Sequence, residues 1–305
     1  MGAQRLRGYL FVIASAVIFG SMPLMARYIY ADGVNSISLV LFRNILSLPM
    51  LALAAVLSGK SLKVNTAAIP SMTFIGMLGC AITPLLLFSS YNYVASGTAT
   101  VFHFVYPAVV VLFEIVFMKS RARLGSIVSL ALCILGICTF YTPGEAISPL
   151  GSSLALLSGV TYALYIVFLG KFKYKEISGF VFSFYVSLIS SVIMLIVCLC
   201  SGELCFPESF GGWVLTALFA MTVNVGAVVL FQRGTFIVGG ERASILSTFE
   251  PITSIIVGAI FFDEEIIWRT VLGALLVISA SALIAVLDMR GGKDATSERE
   301  KRSAE

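Results

Sequence analysis

Four ionisable residues of this chain stand out inside long apolar runs: Arg43, His103, Glu114 and Glu250. A charge inside a bilayer is costly, so each is a candidate for function. Glu250 immediately precedes Pro251, and Tyr106 precedes Pro107 in a second run. A proline within a helix removes one hydrogen bond and leaves the carbonyl four residues back without its partner. Those carbonyls belong to Ser247 and His103. At membrane depth such groups must face protein or a wet cavity. Glu250 would contact a substrate or carry a proton, or, as a protonated acid, brace its kink. His103 can relay a proton near neutral pH or sit neutral against a helix neighbour. Arg43 can meet a substrate carboxylate, although a structural counter-charge is the simpler role. Glu114 lies near Lys119 and Arg121, which suits an interfacial ion pair, and Arg233 and Arg242 are placed to snorkel. Tyr91, Asn92, Tyr106, Tyr162, Tyr165, Asn224 and Gln232 thread other apolar runs and could line a pocket for a small amphipathic molecule. Pro23, Pro49 and Pro84 mark further bends.

These residues need scaffolding, and composition says what kind. The 305 residues are 59% hydrophobic and 12% charged, with mean hydropathy +1.01. A soluble domain carries about 25% charged residues, so lipid must solvate most of this chain. The formal charge of +4 is not a nucleic-acid signal, because the basic residues sit in short loops between apolar runs. Five of the six cysteines fall in apolar runs and read as small hydrophobes; Cys205 alone falls in a loop. With one histidine and no metal spacing, neither a metal nor a cofactor is expected. The basic start followed by an apolar run mimics a signal peptide, but the run continues to Ile29 and nine more follow. Leu6 stands where myristoylation needs Ser or Thr.

A spanning helix needs about 20 apolar residues. Ten such runs are predicted, near 8–29, 36–58, 68–91, 95–118, 124–141, 151–170, 178–201, 211–233, 239–261 and 267–288. Residues 143–150, with Pro143, Gly144 and Pro149, form a linker, and 289–305 a polar cytoplasmic tail. With the N-terminus in the cytoplasm, 15 loop and tail Lys and Arg residues fall inside, and only Arg27 and Arg269 outside. Both ends are therefore expected in the cytoplasm. The two halves, 1–142 and 151–288, read as repeats. Pro107 superposes on Pro251, and Val94–Gly97 on Val238–Glu241, at an offset of 144; near the first helices of each half the offset is 143, placing Phe19 over Tyr162. Gly151, Ala155, Gly159 and Ala163 make a small-residue stripe for close helix approach. Five crossings per repeat is odd, so the second copy enters the membrane inverted, a device of transporters.

Phe249-Glu250-Pro251, then Asp263-Glu264-Glu265 and Gly273, together with Phe19-Gly20-Ser21, Arg43 and Tyr106-Pro107, resemble the drug/metabolite transporter superfamily, EamA type, over roughly residues 8–288. Phe19 stands where that family often has Trp. The resemblance implies two inverted five-helix repeats around a central cavity, and export or exchange of amino acids, related metabolites or drugs by alternating access; the compact chain with short loops and no organelle signal points to the plasma membrane of a bacterium. Expected partners are a small-molecule substrate, the lipid bilayer and protons, with a homodimer left open and no nucleic acid. An uncoupled channel is the alternative. A membrane enzyme fits poorly: the acids are scattered and no Gly-x-Ser-x-Gly occurs.

Overall fold

The computed structural model describes residues 2–94, 96–117, 124–139, 148–173, 176–247 and 249–262, with short pieces between 268 and 283. Outside them lie Pro143 and Gly144 of the linker, Lys119, Arg121 and Arg123, Asp263-Glu264-Glu265, most of the predicted last span, and the tail; the side chain of Glu114 is also not described.

The described residues are helical, without a strand. The helices are α1 (Gly2–Gly20), α2 (Met22–Ala31), α3 (Ser36–Leu57), α4 (Ile69–Gly76), α5 (Thr83–Ser90), α6 (Ser96–His103), α7 (Tyr106–Val116), α8 (Leu124–Thr139), α9 (Pro149–Gly170), α10 (Gly179–Ser201), α11 (Phe210–Ala220), α12 (Val229–Val238), α13 (Gly240–Leu246) and α14 (Phe249–Phe262). Six stretches among them are long and apolar enough to cross a bilayer: Gln4–Ala31, Ser36–Leu57, Thr66–Ser90, Pro149–Gly170, Gly179–Ser201 and Phe210–Val238. They are the first three predicted spans of each half. Large apolar side chains such as Leu57, Leu199 and Phe210 face outward, as a lipid solvent requires.

The fourth and ninth predicted spans are not continuous kinked helices. Each is two half-helices, α6 with α7 and α13 with α14. Pro107 is the second residue of α7 and Pro251 the third of α14. Pro23 and Pro84 likewise occupy the first turns of α2 and α5. A missing N–H costs nothing in a first turn, where it has no intrahelical acceptor. Pro107, Pro251 and Pro23 therefore start helices here, whereas Pro49 lies within one and Pro84 follows a π turn without a break, so that its missing N–H leaves the carbonyl of Cys80 to another donor.

A second paired irregularity has a proline beside only one of its members, Pro84 just after the first. Widened π-helical turns run over Met77–Ile82, between α4 and α5, and over Met221–Val228, between α11 and α12. Their starts are 144 residues apart, the offset of the repeat. A π turn leaves backbone groups without regular partners, and neighbouring side chains supply them. Asn44 Nδ2 donates to the carbonyl of Cys80 (3.0 Å), Ser190 Oγ to that of Gly76 (3.0 Å) and Ser15 Oγ to that of Ala227 (2.8 Å). Asn224, inside the second π turn, donates to the Arg43 carbonyl (2.9 Å) and Asn44 Oδ1 (3.1 Å). Residues 43–44 of α3 are thus tied to both turns. The halves also interlock: α1 packs on α12 and α14, while α9 packs on α5, α6 and α7.

One end of the bundle is clasped across the halves. Asn35 caps α3 through the Ser38 amide (2.8 Å) and donates its own amide to the Glu203 carbonyl (2.7 Å). The Cys205 amide donates to Ser38 Oγ (2.8 Å) and the Glu208 amide to the Asp32 carbonyl (3.1 Å). The hydroxyl and amide of Ser209 bond the Asp32 carboxylate and hold it below the usual carboxylate range. A depressed folded value means the contribution is present above about pH 3.9 and is lost as pH falls through the folded value.

Two outcomes follow. Asn44→Ala and Asn224→Ala should each lower thermal stability by about 1 kcal/mol, with a double variant less damaged than the sum, as expected of groups sharing one network; additive losses in detergent unfolding would contradict the bridge. Amide hydrogen exchange at residues 208–212 should accelerate as pH drops below about 4, after correction for intrinsic rates, and Asp32→Asn should abolish that response.

Candidate functional site

The two breaks and the first π turn meet around one cavity. It is walled by Phe19, Met22, Arg43, Gly79, Cys80, Thr83, Pro84, Leu87, His103, Tyr162, Tyr165, Val228, Phe231 and Glu250. It holds about 500 Å³ of non-atom space, counting the part open to solvent. Six residues singled out in the sequence therefore converge here from both halves: Arg43, Pro84 and His103 from the first, Tyr162, Tyr165 and Glu250 from the second. Phe19, marked in the sequence by the repeat and the family motif, is also in the wall, and Cys80, Thr83 and Phe231 belong to it without having been singled out. The last three are ordinary membrane-helix residues, and only the packing distinguishes them.

Each polar member is held by its local fold. Glu250 is the second residue of α14, 7% exposed. Its own N–H bonds the Ser247 carbonyl (2.9 Å). That carbonyl was expected to stand free because Pro251 cannot donate; the tighter three-residue turn supplies the donor instead. A carboxylate on the first turn of a helix also meets the positive end of its dipole. His103 ends α6. Its Nδ1 lies 2.8 Å from Ser158 Oγ, and the Ser158 hydroxyl lies 2.6 Å from the Ala155 carbonyl. The single hydroxyl proton goes to the carbonyl, so His103 Nδ1 donates and Nε2 is the nitrogen left for the cavity.

The breaks can approach the opposite half because glycines face them. A Cβ on Gly159 would sit 2.5 Å from the His103 carbonyl, and one on Gly20 would sit 2.6 Å from that of Glu250. The small stripe on α9 thus serves the α6–α7 break: Ala155 and Ala163 are fully buried, and Gly159 sits on the break itself.

The aromatic residues form one stack. Tyr162 lies parallel to Tyr165 (centroids 5.5 Å apart) and to Phe231 (5.8 Å), and Tyr106 meets it edge-on at 4.9 Å. His103 packs on Tyr106 and Tyr162 at 5.4 and 5.3 Å. Tyr106, fully buried, backs the wall rather than forming it. Asn224 also lies outside the wall, in the network beneath Arg43. Pro107, Pro251 and Pro23 open the half-helices α7, α14 and α2.

Arg43 is 3% exposed and its Nε has no hydrogen-bond partner. The Phe88 ring lies 5.8 Å from its guanidinium carbon. Such a contact returns on the order of 0.5–2 kcal/mol, against several kcal/mol for removing an ion from water. The charge is undercompensated.

Comparison with known proteins gives the same twofold layout. The EamA-like transporter family matches residues 6–142 and again 149–286. An uncharacterized inner membrane transporter of Salmonella typhimurium, YicL, is 26% identical over 308 residues, covering 95% of this chain and 98% of that protein. An uncharacterized transporter of Bacillus subtilis, YcbK, is 25% identical over 92% of this chain and 91% of its own. A solved crystal structure superposes with a TM-score of 0.76 at 15% identity, covering 93% of this chain and 98% of that one, which establishes the fold.

Gly159→Ala should push the α6–α7 break away from α9. A loss of about 1–3 kcal/mol in unfolding free energy is expected, the range for overpacking. Ala163→Gly, which adds nothing, should leave the break in place, so equal losses in the two would contradict the contact.

Proposed function

The chain belongs to the EamA-like transporter family, and from that premise we propose that it is a secondary transporter moving small organic metabolites across the plasma membrane by alternating access. The observation that carries this reading is a cavity, partly open to solvent, at the crossing of the two halves, with a helix break from each half in its wall. Broken helices at the repeat interface offer backbone and side-chain polar groups to a substrate at mid-membrane, and one half can rock against the other around them. In this reading the chain crosses the membrane ten times with both ends in the cytoplasm. Export is the expected direction, amino acids and related amphipathic compounds the expected cargo.

The clasp between residues 32–38 and 203–209 would seal one gate. Its hydrogen bonds run mostly between loop groups that water can satisfy on opening, so exchanging them costs little. The sequence contains no Gly-x-x-x-x-Gly-Lys-Ser/Thr phosphate loop, so a solute gradient is the expected energy source. Glu250 is the proposed proton carrier: it sits in the cavity wall on a helix start and can be released to either side as the halves move. An uncoupled channel would conduct without saturation and without exchange.

Reconstituted protein should take up at least one member of a labelled amino-acid and amphipathic-compound panel with saturation, faster when the vesicles are preloaded with the same compound. Linear, unsaturable flux would favour the channel. Glu250→Gln should insert normally, lose the response to a pH gradient and slow net transport by roughly tenfold, equivalent to about 1.4 kcal/mol; an unchanged response would remove the carrier role.

A further inference from the structure

We propose that Arg43 is the anion-binding residue of the central cavity, and that the transported compound bears a carboxylate held by this guanidinium with an apolar or aromatic body laid along Tyr162, Tyr165 and Phe231. The inference rests on the cavity being the transport site and deepens that reading.

Three observations carry it. First, Arg43 is buried in the cavity wall, and its Nε is one of the few buried polar atoms left without a partner. Its electrostatic neighbours are Cys80, Tyr165 and Tyr162, with no carboxylate among them; Glu250 lines the same cavity but is not one of them. Second, the backbone beneath it is fixed. Asn224 grips the Arg43 carbonyl and Asn44 the Cys80 carbonyl, so both π turns hold the residue that presents the charge. Third, the ring stack starts beside it and offers flat apolar surface.

A guanidinium presents a planar donor fork that matches a carboxylate in bidentate fashion. A phosphate dianion suits the site less well. Among the described residues Arg43 is the sole Arg or Lys in the wall, and the Glu250 carboxyl shares the space. The third anchor is therefore apolar contact rather than further positive charge.

The test uses the wild-type protein, so folding of a variant does not enter. Purified full-length protein is treated with p-hydroxyphenylglyoxal, which adds to unpaired guanidinium groups, and the Arg43 adduct is followed by mass spectrometry with and without phenylacetate, indole-3-acetate and their neutral amides. The carboxylates should slow Arg43 modification severalfold and the amides should not, while the adduct at exposed Arg7 forms at an unchanged rate. No reaction at Arg43, or equal protection or none from the acid and amide of each pair, overturns the proposal. Saturable flux of an uncharged compound together with either of those results would leave the transporter reading standing and remove this one.

Discussion

A peptide group released from its helix inside a bilayer must find another partner, because lipid offers none. That constraint organises this molecule. Among the described residues its spans are interrupted at two breaks and two π turns, in pairs 144 residues apart or nearly so, and once more at Ser21. The π turns are repaired by small polar side chains of other helices, Ser15 for Ala227 and Ser190 for Gly76 from the other half and Asn44 for Cys80 from the same half, while a glycine of the other half lies against each break. The repairs make the contacts that dock one half on the other. Irregular backbone and the interface between repeats are therefore one feature. The cavity exists where these interruptions crowd together and regular helix packing cannot fill the space.

The same economy explains the ionisable groups. Hydrogen bonds between membrane helices average about 0.6 kcal/mol, so no single repair fixes the structure, and a rocking motion can exchange several of them. A buried guanidinium or carboxyl is different in scale. Arg43 and Glu250 come from opposite halves and share one cavity, and both are buried with the halves docked around it. Their burial links the chemistry of the cavity to the position of the halves.

Much of this was legible in the sequence, for identifiable reasons. Proline acts locally, so Pro107 and Pro251 marked the breaks without knowledge of neighbours, although they proved to start half-helices rather than kink whole ones. Glu250, His103 and Arg43 stood out because charge is rare in apolar runs. The six long spans followed from length and hydropathy. The π turns were not legible: Met77–Ile82 and Met221–Val228 hold no residue type that announces an extra turn. Asn44 and Ser158 went unnoticed because their importance lies in what they touch, 36 and 55 residues away. Asn224 was visible as a polar residue, but its work beneath Arg43 rather than in the wall needed the tertiary structure. Phe231 and Cys80 line the cavity through packing alone.

The central claim is that this cavity opens to one side of the membrane at a time. The most direct measurement is labelling of a cysteine placed at Thr83, in a background without other reactive cysteines, by an impermeant maleimide applied to each face, before and after a cross-link is set between cysteines at positions 32 and 209. The account predicts labelling from both faces in the free protein, and, with the clasp locked, labelling only from the face opposite it. Labelling from both faces with the clasp locked would mean a continuous pore or a cavity that the clasp does not seal, and would contradict the account.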